Sequence, residues 1–268
     1  MIRLDSTGWK VTMTLTIAIS THQGIALGAD KKRLNVLKLD DPKPNGPKYV
    51  GLGRKGSTKL VPYGSHACIT WSGQGGIGGR DFVDILKGFT SNNDKPTVKD
   101  TANELHALLE GLKKSEPEGV DKGPFSTVAL IVAGYDLQGA RPKRFIVDVP
   151  GEVKESRTSS QNNGLGISAT GRNYVLPRVL QGLDPSLTPS NIPSDLLENN
   201  KFNIDWEKIS LKDAIELIRH LIEFTTQLEK VGHLKLDEPD WGKDVPAFVG
   251  DGIDLAVITP DNGFEWVV

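Results

Sequence analysis

Residues 14–30, Thr-Leu-Thr-Ile-Ala-Ile-Ser-Thr-His-Gln-Gly-Ile-Ala-Leu-Gly-Ala-Asp, constrain the fold more than any other stretch, because they read as a strand, a tight turn and a returning strand. Leu15, Ile17 and Ile19 alternate as one face of a strand, His22-Gln23-Gly24 supply turn chemistry, and Ile25, Ala26 and Leu27 carry the chain back to Asp30. Such a hairpin brings its first residue and Asp30 to the same end of a sheet. A threonine at the start of that strand, once made N-terminal, carries a hydroxyl nucleophile and an amine base on one residue.

The rest of the chain alternates strand pairs with helices. Residues before Met13 read as a short appendage, and residues 31–57 as a long polar loop containing proline and glycine. Residues 60–63 and 67–71 read as a strand pair, followed by glycine-rich Gly73–Gly79 and helices at 80–89 and 98–114. The second half repeats this order. Strands are expected at 126–133 and 144–148, then a Gly-bounded stretch 166–171, a short helix at 173–181, a second long loop at 183–205, and a helix at 210–230 capped by Ser210. Strands at 253–259 and 264–268 close the chain. Strand pairs enclosing helix pairs predict an α+β fold, a four-layer αββα sandwich of two antiparallel sheets covered by helices. Residues 14–268 form a single domain in this reading, and residues 1–13 an N-terminal extension or propeptide.

Composition narrows the function. The 268 residues are 37% apolar and 25% charged, with a net charge of −2, so nothing offers the broad basic face that nucleic acid or an anionic membrane requires. Cys68 is the only cysteine, so no internal disulfide forms, and it lies in an apolar run that suits packing. The first twenty residues make a poor secretory signal, and a cytoplasmic location is expected. His22, His66, His106, His220 and His233 are scattered without ligand spacing, so no metal and no cofactor are expected. One motif points elsewhere: Gly73-Gln-Gly-Gly-Ile-Gly78 matches the G-x-G-x-x-G of dinucleotide sites, between a strand and a helix. No parallel strand ending in an acidic residue follows it.

Several spacings converge on another reading. Asp30 lies sixteen positions after Thr14 within Gly28-Ala29-Asp30, Lys59 opens a strand fourteen positions before Gly73, and Val249-Gly-Asp-Gly-Ile-Asp leads into the last strands. In these features the chain resembles the proteasome β-subunit type of N-terminal nucleophile hydrolase, from Thr14 to the C-terminus. The resemblance implies a threonine-type amidohydrolase in which Thr14 is the nucleophile, Lys59 and Asp30 tune it, and the Gly73 N–H stabilises an oxyanion. Thr170 matches the family's supporting serine, and Glu229 its aspartate near the end of the long helix. Peptide or protein substrates, a homo-oligomeric ring and an ATP-driven regulator are the partners it implies, with neither nucleic acid nor membrane.

Met13 departs from the family, which usually has glycine before a self-cleaved bond. Translation from Met13 followed by methionine removal is the simpler route to a free Thr14, as in the related bacterial heat-shock protease subunits. Two alternatives stand beside the enzyme: a non-catalytic ring subunit or binding module retaining residues 1–13, and a dinucleotide-binding protein acting through Gly73–Gly78.

Overall fold

The hairpin at the head of the domain is closed by a threonine. β2 (Leu15–Ser20) and β3 (Ile25–Asp30) pair antiparallel, with Thr16 opposite Ala29 and Ser20 opposite Ile25. The Thr21 hydroxyl receives the N–H groups of Gln23 and Gly24 at 3.1 and 3.2 Å, and the Thr21 N–H donates to the Gly24 carbonyl at 2.8 Å. The structure, a computed structural model, describes residues 9–12, 14–38, 49–54, 56–92, 97–116, 127–139, 141–156, 163–172, 176, 179–180, 204–231 and 249–267.

The chain is α+β, with antiparallel sheets and three helices described along their whole length. The five-stranded sheet contains β2 and β3 together with β13 (Gly166–Gly171), β14 (Ile253–Thr259) and β15 (Gly263–Trp266), in the order β13-β2-β3-β14-β15. The larger sheet contains β1 (Trp9–Thr12), β4 (Arg33–Lys38), β5 (Tyr49–Arg54), β6 (Leu60–Tyr63), β7 (Ala67–Gln74), β10 (Val128–Gly134), β11 (Lys143–Val149) and β12 (Val153–Glu155). Its order is β12-β11-β10-β7-β1-β4-β5, with β6 also paired to β7. A ribbon of β8 (Gly76–Ile77) and β9 (Arg80–Asp81) leads into α1 (Phe82–Asn92).

Three apolar clusters hold these elements together. Leu60, Cys68 and Ile131 of the larger sheet pack with Ala18, Leu27 and Ile258 of the smaller one. Trp71, Leu130 and Val147 pack instead with Phe82 of α1 and with Leu105 and Leu109 of α2 (Val98–Lys114). On the smaller sheet, Ile17 and Leu255 meet Ile218 and Ile222 of α3 (Leu211–Lys230). Alternation along each strand decides which residues meet the other sheet and which meet a helix.

Most of the sequence pattern is realised. α2 spans the predicted residues, and α3 begins after Ser210, which forms a reciprocal capping box with Asp213. Cys68 is fully buried, which pushes its thiol pKa up and suits the packing role. Two expectations fail. The stretch 31–57, read as a loop, carries β4 and β5, and the appendage before Met13 carries β1, which pairs with both β4 and β7. Trp9-Lys-Val-Thr12, Leu34-Asn-Val36 and Val50-Gly-Leu52 do alternate, but over too few residues beside the prolines and glycines of 42–56 to mark strands, and pairing within the sheet decided. The helix expected from Arg80 starts at Phe82, because Arg80 and Asp81 are held in the ribbon. Of the helix expected at 173–181, Leu176, Val179 and Leu180 are helical and the remainder lies outside the described residues, as does nearly all of the loop at 183–205.

Candidate active site

Thr14, Asp30 and Lys59 meet at one end of the sheets, and all three side chains are fully buried. The hairpin register brings Asp30 beside the start of β2, where Leu15 donates its N–H to the Asp30 carboxylate at 3.0 Å. Lys59 arrives from the other sheet's side, as the residue immediately before β6. Its ammonium donates to the Thr14 hydroxyl and to the Lys32 carbonyl, and stands 3.4 Å from both oxygens of Asp30.

The charges are balanced against burial. Burial pushes the Asp30 carboxyl up, while Lys59 and the N–H groups of Leu15, Gly250 and Lys32 pull it back. The two latter groups donate at 3.1 and 3.0 Å. Burial also holds Lys59 below its ordinary value, opposed by Asp30, reinforced by the positive charge of Arg33 and opposed by Asp251. A lysine held in this way sits directly on the hydroxyl it would polarise. A free α-amine on Thr14, with an ordinary pKa of about 7.7–8.0, would be a base on the same residue.

The other predicted residues lie around this core. Gly73 is near the end of β7 with φ 99°, and a Cβ there would lie 2.2 Å from the Thr127 carbonyl oxygen, so only glycine fits. Thr170 lies on β13, where its hydroxyl bonds Thr16 at 2.8 Å and Ser72 at 3.1 Å rather than Thr14. Glu229 accepts the Val249 N–H at 2.8 Å and lies 4.0 Å from the Arg172 guanidinium. It therefore acts one step removed, by fixing the turn whose Gly250 N–H reaches Asp30.

Sequence reasoning missed several neighbours. Gly171 has φ 84°, and any Cβ there would lie 1.7 Å from the Thr14 carbonyl oxygen, so this glycine lets β13 close on the threonine. Arg172 donates its N–H to that carbonyl at 2.8 Å. Ser72, beside Gly73 in the sequence, was also overlooked. A Thr-Gly pair ending a strand was the available signal for Gly171; nothing local marked Arg172.

Strand β1 completes the geometry. β6 covers β7 from Ala67 to Thr70, and β1 covers the same strand at Gly73 and Gln74, with Thr12 opposite Gly73 and Val11 opposite both Gln74 and Leu34. β1 therefore fills a strip between β4 and β7 that ends beside Thr14.

The glycine-rich motif is differently engaged. The N–H of Gln74 donates to Thr127, that of Gly78 to the Glu116 carboxylate at 3.0 Å, and that of Val83 to the Asp81 carboxylate at 3.0 Å. Two carboxylates thus occupy donors that a pyrophosphate would require. Among the described residues, no group of three or more His, Cys, Asp or Glu side chains is placed to hold a metal, and no helix is long and apolar enough to cross a membrane. In comparisons with known proteins, the chain matches no protein-family model and no curated protein.

Proposed function

We propose that this protein is a threonine-type amidohydrolase, a peptidase resembling proteasome β subunits, with a four-layer αββα sandwich of the N-terminal nucleophile type. The observation that carries the reading is the fully buried Lys59 bonded to the Thr14 hydroxyl and backed by Asp30. The same triad would be an odd structural device, because burying an ion pair stabilises little.

In the proposed reaction the Thr14 nitrogen is first freed from Met13. Thr14 Oγ1 then attacks a substrate carbonyl while its proton passes to the α-amine, and the oxyanion formed is met by the Gly73 N–H. Collapse breaks the C–N bond, the leaving amine takes the proton, and an ester on Thr14 remains. Water, deprotonated by the same amine, releases the acid and restores the hydroxyl. Removal of the leader would also empty the strip held by β1, exposing edges of β4 and β7 that suit an extended peptide. The reading further implies a homo-oligomeric ring in the cytoplasm, peptide or protein substrates, an ATP-driven regulator and no cofactor.

The test is the mature N-terminus together with a covalent trap. Protein beginning at Thr14 should hydrolyse amide substrates and take up one equivalent of a β-lactone on Thr14, and Thr14→Ala should lose both. Full activity with Met13 still attached would remove the amine base. A native protein that keeps residues 1–13 and is never labelled would instead be a non-catalytic subunit, and saturable dinucleotide binding without labelling would favour Gly73–Gly78.

A further inference from the structure

One arginine joins the two halves of the site. Arg33 opens β4, three residues after Asp30 and one after Lys32, whose carbonyl accepts from Lys59. Its guanidinium Nη2 donates to the Gly75 carbonyl at 3.1 Å and to the Asp81 carboxylate at 2.5 Å. Gly75 lies two residues beyond Gly73, and its carbonyl also accepts the Phe82 N–H at 3.0 Å. Asp81 uses its other oxygen to receive the Val83 N–H in the first turn of α1. The contacts therefore run from the segment holding Lys59, through Arg33, to the bend at Gly75 just beyond the Gly73 end of β7 and to the helix behind it. The arginine is largely buried, with 11% of its side chain exposed, so solvent screens these bonds little.

We infer that Arg33 and Asp81 are positioning residues for the proposed amide hydrolysis, holding the Gly73 end of β7 in register with Thr14 and Lys59. This rests on the reading above. Neither side chain need touch the substrate. A backbone N–H that serves an oxyanion is effective only when held where charge develops, and a displacement of about 1 Å costs roughly 100-fold in rate. Arg33 also places a positive charge where Lys59 feels it. The charged groups acting on Lys59 are Asp30 from β3, Arg33 from β4 and Asp251 from the turn before β14.

The experiment uses protein beginning at Thr14, with hydrolysis of an amide substrate followed across pH, in wild type, Arg33→Met, Arg33→Lys and Asp81→Asn. Arg33→Met should lower kcat by about 100-fold with KM little changed, because the lost interaction matters mainly in the transition state. The alkaline limb of its pH–rate profile, where Lys59 loses its proton, should move upward, since a positive charge near Lys59 is gone. Arg33→Lys keeps the charge but not the planar fork, so its limb should stay while kcat falls by about 10-fold. Asp81→Asn should lower kcat in the same sense.

Wild-type kcat and an unmoved limb in Arg33→Met would overturn the inference, as would a change confined to KM, which would make Arg33 a substrate contact. If Arg33→Met shows no cooperative melting, Arg33→Lys decides, and wild-type kcat in that variant overturns it. Wild-type protein that neither hydrolyses amides nor is labelled on Thr14 would sink the underlying reading and this inference together. Failure confined to the variants sinks only the inference.

Discussion

Two lysine–aspartate pairs in this molecule invite comparison. Lys143 bonds Asp136 in the loop after β10, and Asp136 uses its other oxygen to receive the Val98 N–H at 3.0 Å at the head of α2. Lys59 faces Asp30 at 3.4 Å, and Asp30 also receives backbone N–H groups. The chemistry of each pair is the same. The surroundings differ: the Lys143 side chain is 36% exposed, whereas Lys59 and Asp30 are closed from solvent and a threonine hydroxyl completes the lysine's shell. A charge pair open to water is a modest tether, while one closed from water and shared with a hydroxyl has its protonation set by the fold.

The comparison is broken most severely at Lys59. Lys59→Ala should reduce turnover by about 1,000-fold, on the scale of losing a preorganised group that favours the developing charge, while thermal melting stays cooperative. Wild-type amide hydrolysis in that variant would place Lys59 with Lys143 as a tether. Asp30→Asn should lower activity by a similar or smaller factor and cost about 3 kcal/mol of stability, because it leaves a buried lysine without its counter-charge; denaturant titration measures this. Thr170→Val removes the partner of the Thr16 and Ser72 hydroxyls and should cost about 1–2 kcal/mol, with activity retained. A loss of activity on the Lys59 scale there would move Thr170 into the reacting group.

The exposed pair gives the small effects. Lys143→Ala should change stability by less than about 1 kcal/mol and leave hydrolysis unchanged. Beside it, burial raises the Tyr135 phenol from its ordinary value of 10.0 to about 12. The folded state therefore keeps that proton over a window in which the unfolded chain loses it, and stability falls as pH rises from 10 to 12. Tyr135→Phe should flatten that decline, read as melting temperature against pH. An unchanged slope would show that Tyr135 does not carry it.

By itself the sequence determined the local elements, because alternation and helical spacing are written in neighbouring residues. The β2–β3 hairpin, α2, and α3 with its Ser210 cap are local patterns, and so is the placing of Thr14 and Asp30 at one end of a two-residue-period hairpin. The spacing of Lys59 and Gly73 suggested that they belonged together, but the sequence held no contact between them and Thr14. Tertiary structure decided that Lys59 reaches the hydroxyl, that Gly171 rather than a larger residue abuts Thr14, and that Thr170 serves Thr16 and Ser72 instead. It also turned a polar stretch and the residues before Met13 into β4, β5 and β1. These are pairings across long sequence separations, carried by backbone hydrogen bonds and by desolvation, and the short alternations in these stretches do not say which strand meets which.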